Sequence, residues 1–185
     1  MKPSSSQPLP SDGPVGQSRQ EKLKDGTPVF VRPIEEGDSE RERRFIEALS
    51  LESRRMRFLG EINSPSASLL EHFVHPDPER EAAYIALINV GGEEREIGVA
   101  RYSMDSDGKA CECAVTVADA WQKKGLASLL MQRLIDEAKR HGLARIYSLD
   151  LAENDGMRAL ALRFGFERAT DPKDATQVIH TLRLQ

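Results

Sequence analysis

Two short stretches hold the residues whose types and spacing could do chemistry. In the first, Gln122-Lys123-Lys124-Gly125-Leu126-Ala127 follows an apolar strand and opens a long helix. A helix start exposes unpaired backbone N–H groups and the positive end of the macrodipole, so it can hold an anion. Gly125 lets a phosphate come close to the main chain, Ala127 leaves that space uncrowded, and Lys123 and Lys124 add positive charge. An ordinary helix start with a glycine and two surface lysines would look the same, so the hexapeptide alone leaves both readings open. It is neither a Walker loop, lacking the Gly-Lys-Ser/Thr ending, nor a dinucleotide loop, lacking three spaced glycines.

The second stretch is the preceding strand, Cys111-Glu112-Cys113-Ala114-Val115-Thr116-Val117. Alternation puts Glu112 and Thr116 on one face and Cys111, Cys113, Val115 and Val117 on the other. A carboxylate in so apolar a strand either faces solvent or an arginine at a sheet edge, or serves as a base. Partly desolvated, it can take the proton of an amine, directly or through one water.

The elements around these stretches alternate. Thr27–Ile34 reads as a strand, confined to a sheet edge by Pro28 and Pro33. Asp38–Leu49 reads as a helix with Phe45, Ile46 and Leu49 on one side, Ser50 caps a short helix to Phe58, and Ser64-Pro65 opens a third to Phe73. Ala82–Val90 and Glu96–Met104 form a hairpin across Gly91-Gly92, and Ala110–Ala118 is the strand bearing Glu112. The helix Gly125–His141 carries Ala127, Leu130, Met131, Leu134 and Ala138 on one stripe, with Gly142 as its C-cap. Arg145–Leu151, a helix from the Asn154 cap to Phe164, and strands Phe166–Thr170 and Thr176–Leu184 complete the series. The expected fold is α+β: a mixed, mostly antiparallel sheet of about seven strands flanked by helices.

Composition narrows the function classes. The 185 residues are 39% apolar and 30% charged, as in a globular protein, and the longest apolar run, Ala82–Ile88, is far shorter than a membrane helix. Residues 1–20, rich in Pro, Ser, Gly and Gln, read as a flexible tail without an apolar leader segment, and residues 21–185 as one domain. The net charge is −4; Lys2, Arg19 and Asp12 leave the tail one unit positive, so the body carries −5. An acidic body disfavours nucleic acid, and no membrane contact is expected. Cys111 and Cys113, one residue apart, cannot staple a fold and suit a reducing, cytoplasmic compartment.

Other residues carry less. The cysteines lack a placed histidine and read as core rather than as acyl carriers. His72, His75, His141 and His180 are dispersed without metal spacing, and His141 complements a helix dipole. Asp150, near a strand end, is a second-choice acid or base, and Trp121 is expected to pack under the loop.

Strand, Ala118-Asp119-Ala120-Trp121 and the Gln-x-x-Gly-x-Ala loop together resemble motif A of the GNAT superfamily of N-acetyltransferases. Glu153-Asn154-x-x-Met157 and Arg163-Phe164-Gly165-Phe166 resemble its motif B. A narrower likeness, carried by Val31-Arg32-Pro33-Ile34 with Asp38, Leu49-Ser50-x-Glu52-Ser53-Arg54 and Arg57-Phe58, is to the acetyltransferase domain of bacterial protein lysine acetyltransferases, which modify acyl-CoA synthetases. Ser50-x-Glu52-Ser53 reads equally well as an N-cap with an acid in the first turn.

The resemblance implies acetyl-CoA as acyl donor, no metal, and a protein partner such as an acyl-CoA synthetase. It places the pyrophosphate on the amides of Lys123, Lys124, Gly125, Leu126, Ala127 and Ser128, with Gln122. It aligns Val115, Thr116 and Val117 along the thioester, the Val117 amide toward its oxygen, and sets Asn154 beside the pantetheine arm. Many members protonate the leaving thiolate with a Tyr seven residues after the motif B Asn; here that residue is Ala161. The lysine-modifying branch relies instead on a strand Glu, matched by Glu112. The implied function is N-acetylation of a protein lysine by direct attack, with Glu112 as general base. A small-molecule amine acetyltransferase and a non-catalytic acyl-CoA-binding regulatory module are the alternatives.

Overall fold

The computed structural model describes residues 18–60 and 63–184. Eight strands form one sheet: β1 (Arg19–Lys22), β2 (Pro28–Pro33), β3 (Glu81–Val90), β4 (Glu93–Met104), β5 (Ala110–Val117), β6 (Arg145–Leu151), β7 (Glu167–Thr170) and β8 (Gln177–Arg183). Their order across the sheet is β1-β2-β3-β4-β5-β6-β8-β7, and every pairing is antiparallel except β5 with β6. Helices α1 (Ser39–Ala48), α2 (Leu51–Phe58) and α3 (Ala67–Val74) precede β3; α4 (Leu126–Arg140) follows β5, and α5 (Asp155–Phe164) follows β6.

The strand count exceeds the expected seven by β1. Residues 1–17 of the expected tail lie outside the described residues, but Arg19 and Gln20, assigned to the same tail, begin β1 and pair with Val31 and Phe30. β2 is therefore not an edge strand. Its prolines occupy its first and last positions, so the residues between them keep their N–H groups for both neighbours. The third helix also starts later than expected: Ser66, not Ser64, accepts the cap bond, from the Leu69 N–H at 3.2 Å. Ser64 instead donates to Glu47 at 2.7 Å.

Alternation along each strand feeds two cores. Phe45, Ile46, Leu49, Phe73 and Val74 pack on Ala83, Ile85, Leu87 and Val99 on one face. Leu126, Leu130, Met131, Leu134, Met157 and Leu160 pack on Tyr84, Ala86, Ala100, Cys111, Cys113 and Ile146 on the other. β3 is buried on both faces, which is why Ala82–Ile88 reads as an unbroken apolar run.

At the base of the α1 layer, Arg32 donates to both Asp38 carboxylate oxygens, at 2.6 and 2.7 Å. Burial works against the Asp38 charge, but the Arg32 contact holds its carboxyl below the usual range. This pair, with the Glu35 N–H donating to Asp38 at 2.8 Å, fixes the turn from β2 into α1.

A bulge shapes the centre. Ala86 pairs with Gly98 and Leu87 with Glu96, leaving Ile97 extra on β4. A Cβ on Gly98 would stand 3.1 Å from both Leu126 Cδ2 and Leu130 Cδ1 and 3.2 Å from the Thr116 carbonyl oxygen. Glycine here lets the first turn of α4 lie close on the sheet. Among the described residues, no helix is long and apolar enough to cross a membrane.

Candidate active site

β5 and β6 run parallel but pair only at Ala110–Arg145, Cys111–Ile146 and Glu112–Tyr147. Beyond that level β5 continues with β4 alone and β6 with β8 alone. The two strands splay apart immediately after Glu112, and the β6-facing edge of β5 from Cys113 to Val117 has no strand partner. Val115, Thr116 and Val117 line one side of this opening, and Asn154, three residues beyond the end of β6, stands past the other. Asn154 Oδ1 caps α5, accepting from the Met157 N–H at 3.0 Å.

The loop from Gln122 to Ser128 follows the end of β5, where the Gln122 side-chain amide donates to the Val117 carbonyl at 3.3 Å. Helices α2, α3 and α5 start under side-chain caps from Ser50, Ser66 and Asn154, whereas α4, like α1, starts without one, at Gly125. Its first-turn N–H groups are therefore left to an external acceptor. Lys123 and Gly125 both adopt left-handed backbone, at φ 62° and 93°. Any other residue at 125 would carry strain, and its Cβ would meet Lys24 Cγ at 3.2 Å. Lys24 is a third cation at the loop, and its N–H donates to the Lys124 carbonyl at 3.1 Å. Lys124 is partly neutralised: its Nζ lies 3.3 Å from Asp25 and 4.6 Å from the centre of the Trp121 ring. Asp25 is held down at about 2, chiefly by hydrogen bonds from Thr27 and with help from Lys124. Trp121 packs against the α4 core, as expected of a residue under the loop.

Glu112 is exposed at the narrow end of the splay, on the α1–α3 face, in register with Ser103 of β4 and, beyond it, Glu81 of β3. A cleft of about 170 Å³ opens beside it, lined also by Arg57, His72, Glu81, Arg101 and Ser103. Desolvation raises the Glu112 pKa, Asp105 raises it further, Arg57 opposes, and Asp150 adds to the rise. Arg57 is brought down to about 10, first by burial and then by Arg101. Glu112 is thus a carboxylate with enhanced proton affinity at an accessible position.

Its neighbours divide by face. The Cys111 thiol is pushed up to about 12 and Cys113 well above its usual value, mainly by burial, so neither is a ready nucleophile. Asp150 shares their face, opposite to Glu112, and accepts from Ser148 Oγ at 2.6 Å and pairs with His180 Nδ1 at 3.0 Å. It is bound into a buried cluster rather than facing the cleft. Ala161 is buried on the inner face of α5 and brings no polar group to the opening.

Sequence reasoning missed three members of the site. Arg57 carries no signal of its own in the sequence beyond its place in Arg57-Phe58. Tyr147, directly beside Glu112 and donating to Asp105 at 2.8 Å, left no signal beyond its strand position. Lys24 lies about a hundred residues from the loop it touches.

Residues 46–166 match the acetyltransferase (GNAT) family. The chain belongs to that family. It is 47% identical over 164 residues to acetyltransferase PA5475 of Pseudomonas aeruginosa, covering 89% of this chain and 88% of that protein. Acetyltransferase Pat of Mycolicibacterium smegmatis is 28% identical over 144 residues, 77% of this chain and 42% of that protein. Among solved structures, the GNAT domain of S. lividans PAT superposes with a TM-score of 0.82 at 27% identity, over 94% of this chain and all of that one. The eight-stranded mixed sheet flanked by five helices is the GNAT fold.

Proposed function

We propose that this GNAT acetyltransferase moves an acetyl group from acetyl-CoA to a lysine amine on a protein, by direct attack, with Glu112 as general base. The observation that carries this reading is Glu112 itself, exposed at the point where β5 and β6 part and raised in proton affinity by its surroundings. A lysine ammonium, with a pKa near 10.4, cannot attack a thioester until it gives up a proton. A carboxylate of raised pKa is the better acceptor for it.

Each remaining part of the site has a task in that reaction. The uncapped N–H groups of Leu126, Ala127 and Ser128 and the left-handed Lys123–Gly125 loop suit the pyrophosphate, with Gln122, Lys123, Lys124 and Lys24 around it. The unpaired edge of Val115–Val117 suits the pantetheine amides, and the Val117 N–H the thioester oxygen as it gains charge. Asn154 stands on the opposite side of the arm, its oxygen committed to the α5 cap. As the new N–C bond forms, Glu112 holds the amine proton and the C–S bond breaks. The thiolate leaves unaided, which a thiol pKa near 8.5 permits, Ala161 bringing no phenol to protonate it.

Two observations support a protein acceptor. The cleft beside Glu112, about 170 Å³, is below the roughly 300–1,000 Å³ of pockets that enclose drug-sized ligands, and suits one inserted side chain. The likeness to S. lividans PAT over the whole of that domain agrees with the motifs shared with protein lysine acetyltransferases. Acyl-CoA synthetases in the cytoplasm are the acceptors to try first. Labelled acetyl transfer to such a synthetase, with lysine sites mapped by mass spectrometry, tests the reading. Wild type should label discrete lysines and Glu112→Gln should not; equal labelling by both would remove Glu112 from its role.

A further inference from the structure

Helix α2 is fastened to the cofactor loop at its start and overhangs the Glu112 cleft at its end. Asp119 Oδ2 accepts from the Ser50 N–H at 2.9 Å, and its Oδ1 accepts from the hydroxyls of Ser50 and Ser53 at 2.8 Å each. The Gln122 side-chain amide donates to Ser53 Oγ and to the Val117 carbonyl, both at 3.3 Å, tying the same cluster to the loop and to the end of β5. Burial works against the Asp119 charge, but the donors from Ser50 and Ser53 hold its carboxyl below the usual range. Capping α2 needs only Ser50 Oγ and the Ser53 N–H, which meet at 3.1 Å. The Asp119 contacts are additional, and they fix where the helix sits and how it is rotated.

Seven residues after Ser50, about two helical turns, Arg57 reaches the cleft. The groups around Glu112 are Arg57 from α2, Arg101 and Ser103 from β4, Asp105 from the following turn, Tyr147 from β6, and Glu81 and His72 across the cleft, with Asp150 acting from the opposite face of β6. Asp105 and Asp150 strengthen its hold on a proton, and Arg57 weakens it. The position of Arg57 therefore contributes, after desolvation and Asp105, to how basic Glu112 is, and that position depends on α2.

We infer that Asp119 is a positioning residue: through Ser50 and Ser53 it holds α2 in register, keeping Arg57 over the Glu112 cleft and joining the cofactor loop to the acceptor side. This rests on Glu112 as the base. Without the tie, Arg57 withdraws, the Glu112 pKa climbs, and less of the enzyme is in the active ionised form at a given pH below neutrality.

The test is the pH dependence of kcat/KM for wild type, Asp119→Asn, Arg57→Met and the double variant. Asp119→Asn should lower kcat/KM by about 10-fold or more and move the acid limb to higher pH. Arg57→Met should move it the same way, and the double variant no further, because both act through one charge. An acid limb at the wild-type position in Asp119→Asn, or shifts that add in the double variant, would overturn the inference. If Asp119→Asn fails to fold, Ser53→Ala decides: a smaller shift in the same direction supports the tie, and an unmoved limb refutes it. Glu112→Gln separates the two ideas. A limb that survives this substitution ends the reading of Glu112 as base. A limb that vanishes there yet stays still in Asp119→Asn ends the positioning role alone.

Discussion

The two faces of β5 show what alternation along one strand can separate. Cys111, Cys113, Val115 and Val117 enter a layer beneath α4 and α5 that is apolar at its centre, with buried Asp150, Ser148 and His180 toward β6 and β8. Glu112 and Thr116 enter a layer with Arg57, Arg101, Glu42 and Glu96, where the Arg101 guanidinium stands 3.6 Å from the buried Glu42 carboxylate. The apolar layer gives rigidity: α4 is pressed onto Gly98, and its uncapped start is held at a fixed place relative to the splay. The charged layer gives tunable proton affinity next to the opening. One side holds the donor still, and the other adjusts the base that the acceptor meets.

Four substitutions would break or sharpen that contrast. The largest effect is expected at Glu112: Glu112→Gln should cost about 10²- to 10⁴-fold in kcat, with acetyl-CoA affinity by calorimetry unchanged. A parallel loss of donor binding would mean that the two faces are not separable. Next, Leu130→Ala on the apolar face removes a fully buried side chain and should cost about 2–5 kcal/mol, read as a lower urea midpoint. The pH profile of the folded fraction should not move.

Gly125→Ala should carry about 1–2 kcal/mol of left-handed strain. The strain should appear as weaker acetyl-CoA binding rather than as a displaced acid limb. The smallest effect is expected at Glu96, whose pKa is raised well above normal by burial and then by Glu42. The folded chain keeps a proton there that the unfolded chain releases. Stability is therefore full below the unfolded pKa near 4.3 and declines as pH rises through the folded one. Glu96→Gln, which mimics the protonated form, should match wild type at pH 4 and exceed it in stability at pH 8. Equal denaturation curves at both pH values would mean that this carboxyl is not held protonated.

The same contrast explains what was legible in the sequence. The cofactor side is built from local signals: a glycine at a helix start, an Asn cap at residue 154, and an apolar stripe on α4 that the structure buries at Leu130, Met131, Leu134 and Ala138. Such features depend on neighbours within a few residues, so α5 and β6 could be placed at their observed ends. The acceptor side is built from distant pairs. Asp119 meets Ser50 across 69 residues, and Arg57 meets Glu112 only because α2 is docked so. Ser50-x-Glu52-Ser53 could be read as a helix cap, which it is, but its second task needed Asp119 in view. β1 escaped notice because RQEK has no apolar alternation. Its order comes from pairing along β2 rather than from burying side chains.

The most direct test of the account is the single-turnover rate of acetyl transfer from acetyl-CoA to a protein lysine, measured against pH for wild type and Glu112→Gln. Wild type should lose activity as pH falls through a raised carboxylate pKa, above the ordinary glutamate value. Glu112→Gln should be slow throughout and lack that limb. A Glu112→Gln enzyme with wild-type rates and the same acid limb would contradict it.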